Sequence, residues 1–175
     1  MYKKVLGLFY FAVALAILIS VLKITNWLPG VLQEGAMKKY SSIDDVRSKL
    51  KIKDLHVPSY FPQSVVWPPS SIMAQSRPYE AVFMEFTSAR TGDVNLIISQ
   101  VSDRGSINDS KISLVQVKEK TAYPLKGRNA LLEVGLCKND IPCSRISWHE
   151  GTSTITVTMR STPFELLKIA DSMLY

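Results

Sequence analysis

Val5 to Leu22 (VLGLFYFAVALAILISVL) is a run of eighteen residues without a charge, set between Lys3 and Lys4 on one side and Lys23 on the other. As a helix at about 1.5 Å per residue it measures roughly 27 Å, close to the ~30 Å hydrocarbon core of a bilayer. No polar stripe interrupts it, which argues against a helix packed on the core of a soluble protein. A cleaved signal peptide is the competing reading, but its apolar core is usually shorter, about 7 to 15 residues, and ends at a small-x-small site. Here KITNWLPGVLQEGAM follows, where Glu34 stands two positions before Ala36. The sequence therefore predicts a transmembrane signal anchor over residues 1–28, a membrane-proximal linker over 29–41 and an α+β domain over 42–175. Trp27, just past Lys23, suits the headgroup layer. The expected placement is single-pass in the inner (cytoplasmic) membrane, with the carboxyl-terminal domain in the periplasm or outside the cell, although basic residues on both sides of the run leave the charge rule almost neutral.

Within the run Ala12, Ala16 and Ser20 recur at intervals of four and share one helical face. Small side chains let helices approach closely in lipid, so this face is a candidate for packing against a partner's spanning helix; the plainer reading is that Ala and Ser are common in any such helix.

The net charge of +6 raises nucleic acid as a partner until its distribution is read. Residues 1–53 hold nine basic side chains (Lys3, Lys4, Lys23, Lys38, Lys39, Arg47, Lys49, Lys51, Lys53) and three acidic ones (Glu34, Asp44, Asp45); residues 54–175 hold twelve of each. The excess flanks the apolar run, so Lys23, Lys38, Lys39, Arg47, Lys49, Lys51 and Lys53 are read as membrane-proximal basic groups facing anionic headgroups or an acidic partner. A neutral remainder argues against nucleic acid.

Past the linker, Ser42 is placed to cap a short helix over Ile43 to Leu50, with Asp44 and Asp45 in the first turn, where the helix dipole favours anions. Pro58, Pro62, Pro68, Pro69 and Pro78 then exclude regular helix between His56 and Tyr79, leaving extended chain that is at most an edge strand. Period-two alternation follows in Val82, Met84 and Phe86 and in Val94, Leu96 and Ile98, across a turn at Arg90, Thr91 and Gly92. Further strand candidates are Ile112–Glu119, Ala130–Cys137, Ser144–Glu150 and Thr154–Arg160, the last two connected as a hairpin through His149, Glu150, Gly151 and Thr152. Thr162, Pro163 and Glu165 open a closing helix whose apolar residues Phe164, Leu167, Ala170, Met173 and Leu174 fall on one face. The expected fold is an antiparallel sheet of about six strands packed against that helix.

Chemistry-bearing residues are sparse. Cys137 and Cys143 flank KNDIP, and outside the cytoplasm such a pair most often forms a disulfide; free thiols, or a metal site drawing on His149, are the alternatives. No GxSxG, HExxH, CxxC or phosphate-loop pattern is present, and His149 beside Glu150 is a weak base candidate, so the expectation is a non-enzyme without metal or cofactor. Tyr60, Phe61 and Trp67 decorate the proline-rich segment, either pinning it to the sheet or forming a docking surface.

The stretches VPSYFPQSV, SWHEGTSTITVTM and STPFELLKIADSM together resemble a small extracytoplasmic α+β domain family of bacterial membrane-anchored regulators, including anti-sigma factors. The resemblance spans about Ser42 to Met173 and implies no catalytic residues. An anti-sigma factor also needs a cytoplasmic domain, and only Met1 to Lys4 precede the apolar run. The sequence thus points to a non-enzymatic accessory subunit of a membrane-associated complex, whose partners are the bilayer and other membrane-protein subunits. The alternative is a membrane-tethered sensor or carrier of a small ligand, for which a groove lined by Trp67, Phe83 or Met84 is the expected mark.

Overall fold

The computed structural model describes Val13, Ile17, Ser20, residues 37–52, 54–103, Gly105 and residues 111–174. The chain divides into Met1–Met37 and Lys38–Tyr175, and the architecture below is that of the second unit. Its elements are β1 (Lys38–Tyr40), α1 (Ile43–Leu50), β2 (Ser71–Gln75), β3 (Ala81–Thr87), β4 (Val94–Ser102), β5 (Gln116–Leu125), β6 (Arg128–Leu136), β7 (Pro142–Glu150), β8 (Ser153–Met159) and α2 (Pro163–Ser172). All strands join one eight-stranded sheet in the order β1-β2-β3-β4-β8-β7-β6-β5, and every pairing is antiparallel.

Register turns the alternation into a core. Tyr40, Ile72, Met84, Ile98, Val157, Ile146 and Leu132 are successive cross-strand partners, and because side chains alternate across a strand they share one face. Ile72, Met84, Ile98, Val157, Ile146 and Leu132 are buried there, and Tyr40 packs partly buried against them. Helix α2 lies against β7 and β8 and closes this face with Leu166, Ile169, Ala170 and Met173. Burying each of the larger side chains contributes about 1.5–3 kcal/mol. On the opposite face Ile112 joins Ile97, Cys137 and Cys143 in a second, smaller cluster, with Leu114 packed against it.

Several expectations are corrected. The fold is mostly β, a single eight-stranded antiparallel sheet with two short helices, and not an α+β fold of about six strands. The two additional strands, β1 and β2, are three and five residues long, too short to write a pattern; β1 falls inside the segment read as linker. Among the described residues no helix is long and apolar enough to cross a membrane: α1 and α2 have eight and ten residues, about 12 and 15 Å, half a hydrocarbon core or less. The anchor expected over 1–28 lies outside the described residues except for Val13, Ile17 and Ser20, so the membrane and signal-anchor expectations have no support from the fold.

The buried stripe of α2 matches the expected one at Ala170, Met173 and Leu174, all buried, and departs from it at Phe164 and Leu167. Leu166, Ile169, Ala170 and Met173 face the sheet, whereas Phe164 is 64% exposed and Leu167 only partly buried. Thr162 is the N-cap residue but makes no side-chain capping hydrogen bond, and Pro163 opens the helix. By contrast α1 runs over the expected residues, capped as expected by Asp45 N donating to Ser42 Oγ at 3.1 Å.

Candidate functional site

The cysteines do meet. Cys137 and Cys143 form a disulfide with Cα atoms 5.6 Å apart, buried at the β6–β7 connection, where Cys137 N donates to Ile141 O at 2.8 Å. Closing so short a loop contributes about 2 kcal/mol on the chain-entropy model. Neither thiol is free, and among the described residues no group of three or more His, Cys, Asp or Glu side chains could hold a metal ion. His149 is 74% exposed; its Nδ1 lies 3.2 Å from Thr154 Oγ1 and 3.5 Å from Asp103 Oδ1. Both neighbours contact the same ring nitrogen, and Thr154 Oγ1 also donates to Asp103 Oδ1 at 3.3 Å.

The aromatic residues divide between packing and exposure. Phe61 stacks between Trp67 and the buried Phe86, with ring centroids 5.0 and 5.1 Å away. Trp67 remains 51% exposed and Tyr60 37%. Tyr60 is tied to α2: its N donates to Ser172 Oγ at 3.2 Å, and its hydroxyl donates to Glu165 Oε2 at 2.8 Å. That hydrogen bond to a carboxylate favours the neutral phenol and raises its pKa. Lys168 Nζ sits 4.2 Å from the Phe164 ring centroid and 5.9 Å from that of Tyr60. Phe164, Lys168 and Tyr60 form one exposed contact group on α2, Phe61 and Trp67 form a second over Phe86, and the two are joined only through the chain at Tyr60–Phe61 into an aromatic ridge. Phe164 belongs to it because its side of α2 is turned away from the sheet.

The basic residues do not form one patch. Arg47 and Lys49 pair with Asp44 and Asp45 within α1, at 3.9 and 3.1 Å, and Lys38 and Lys39 lie exposed on β1. Lys23 and Lys53, with Ala12 and Ala16, lie outside the described residues; Ser20 is described as helical and exposed. Phe83 and Met84 are neighbours on β3 and so point to opposite faces, Met84 fully buried in the core. Met84 is therefore part of the filled core, while Trp67 stays exposed.

A different concavity is present. An open cleft of about 880 Å³ is lined by Arg47, Lys51, Ile52, Asp54, Leu55 and His56 on one side and by Glu80, Gln100 and the β7–β8 turn, Glu150 to Ser153, on the other. Gln100, 8% exposed, holds the two sides in register: its Nε2 donates to Asp54 O at 2.7 Å and its Oε1 accepts from His56 N at 3.1 Å. Glu150 is clamped by Arg128 through two contacts of 2.5 and 2.9 Å. The Arg128 hydrogen bonds hold its carboxyl below the usual glutamate value, against the opposing effect of burial. Sequence reading missed this cleft. Its one legible sign was Gln100, a polar residue on the inward stripe that Leu96 and Ile98 begin.

On the face away from α2, Lys120, Glu133 and Arg145 are cross-strand neighbours. Glu133 is 8% exposed in its side chain and receives Arg145 at 2.5 Å and Lys120 at 3.3 Å. Burial pushes its carboxyl up, but hydrogen bonds and charge from Arg145 and Lys120 outweigh that and leave it below the ordinary value. A lowered folded-state value adds stability above the ordinary glutamate pKa, lost as pH falls through it toward the folded one. Melting between about pH 3 and 6 should show this acid limb, and Glu133→Gln should flatten it while costing roughly 1 kcal/mol at neutral pH. An unchanged acid limb in Glu133→Gln would place the loss elsewhere.

The chain matches no protein-family model, no curated protein and no solved structure.

Proposed function

We propose that the protein is a non-enzymatic accessory subunit of a membrane-associated complex, with its sheet domain outside the cytoplasm and docked on a partner through the aromatic ridge. The ridge is the observation that carries this reading. Trp67, Tyr60 and Phe164 keep large apolar surfaces in water, and aromatic side chains are enriched where proteins meet. Two further features support the placement. The disulfide favours an oxidising compartment, and the uncharged run Val5 to Leu22 is long enough for attachment at a bilayer. The second reading, a tethered carrier of an apolar ligand, gains nothing from Met84, which lies in the filled core.

The test is co-purification of the full chain from its native membrane in mild detergent. A defined partner should accompany the parent protein, and Phe164→Ser, which removes an exposed ring without touching the core, should release it. Retention of the partner by Phe164→Ser and by Trp67→Ala, or migration of the parent chain alone, overturns the proposal.

A further inference from the structure

The cleft beside α1 sorts its charges by origin. Arg47 and Lys51, from α1 and its end, line one side with His56; Glu80 and Glu150 line the side built from strands. Asp54 shares the first side, so the separation is incomplete but its sense is clear. Arg47 is engaged by Asp44 and by Leu55 O at 3.3 Å, and Glu150 by Arg128. Among the described residues neither Lys51 nor Glu80 has an ion pair.

Lys51 also occupies a backbone position that suits a different residue. It ends α1 at φ 56°, ψ 27°, the left-handed conformation in which glycine is the usual and least strained choice. A lysine here carries conformational strain and gives no ion pair in return, while its side chain lines the cleft. Strain retained at a concave site points to a use for the side chain. The buried Gln100 on β4 ties the backbone of Asp54 and His56 to the sheet, so the segment that follows Lys51 is anchored beside Glu80 and Glu150 in one cleft lining.

We infer that this cleft binds a small zwitterion, an amino acid or short peptide with free ends, its carboxylate toward Lys51 and Arg47 and its ammonium toward Glu80 and Glu150. Charge-assisted hydrogen bonds to both ends set the orientation, and the polar lining selects against apolar ligands. The inference stands on the cleft and is independent of docking through the aromatic ridge, which lies on other residues.

Titration of the full chain in mild detergent with alanyl-alanine, followed by calorimetry or amide chemical shifts, tests it. Saturable binding is expected, weakened about tenfold or more by amino-terminal acetylation or carboxyl-terminal amidation of the dipeptide. Lys51→Gly should weaken binding by a similar factor while its melting temperature stays at or above that of the parent, because the glycine relieves the backbone. Glu80→Gln should weaken it as well. No saturation at about 10 mM, equal binding of the capped dipeptides, or parental affinity in Lys51→Gly overturns the inference.

Discussion

Phe86→Ala is expected to lower the free energy of unfolding by about 3 to 5 kcal/mol, the range for emptying an aromatic site in a packed core. Phe86 is fully buried on β3 and stands beneath both Phe61 and Trp67, at centroid distances of 5.1 and 6.2 Å. Its removal therefore opens a cavity and also withdraws the support of the exposed ring. Urea denaturation should show a lower midpoint with an unchanged slope, the mark of altered stability in an otherwise equivalent fold. Trp67→Ala should cost clearly less, since half of that side chain is already in water. Equal losses in the two variants would mean that Trp67 is held by more than Phe61 and Phe86. Where the full chain still folds, Phe86→Ala should also reduce retention of a partner, because the ridge then rests on a void.

Gly135→Ala is the second large effect, expected at about 1 to 3 kcal/mol for an overpacked site. A Cβ at Gly135 would lie 1.9 Å from Gln116 O, 2.9 Å from Gln116 C and 3.0 Å from Val117 Cα. These are backbone atoms of the paired strand, at the irregularity between Val117 and Glu119, so no rotamer change relieves the contact. The start of β5 has to move away. Hydrogen exchange should quicken around residues 116–120 while the β3, β4 and β8 amides keep their protection; uniform loss across the sheet would contradict this. Gly105 offers a contrast. A Cβ there meets ring atoms of Tyr79 at 2.3 Å, but a side chain can turn where a strand cannot, so Gly105→Ala should be the milder change.

What could be read from the sequence depended on whether a buried face was there to write a pattern. Helix α1 was legible to the residue because its signals are local: a serine cap, acids in the first turn, a buried Val46. Central strands β3, β4, β7 and β8 were legible because each has one face in the core. Strand β5 was misplaced, expected over Ile112–Glu119 and found over Gln116–Leu125, because its first seven residues are exposed on both faces and carry no alternation. In α2 two apolar stripes fit helical spacing equally well, and packing on β7 and β8 selected Leu166, Ile169, Ala170 and Met173 over Phe164 and Leu167. The cleft was illegible for another reason. Lys51, Glu80 and Glu150 are far apart along the chain; pairing of β3, β4, β8 and β7 brings the two glutamates together and Gln100 ties the segment after Lys51 beside them.

Among the described residues strand β5, ten residues long, has no strand on its outer edge, and such edges invite copies of the same chain to add on. This one is unsuited to its own kind. Two copies meeting antiparallel about Glu119 would set Lys118 against Lys120 and Glu119 against itself; shifting the axis to Lys118 or Lys120 sets lysine against lysine. The irregularity at Lys118 and the missing amide hydrogen of Pro124 break the ladder further. Crowding many copies together, as a complex with repeated subunits does, therefore need not fuse their sheets into a fibre: the edge tolerates neighbours by refusing its mirror image.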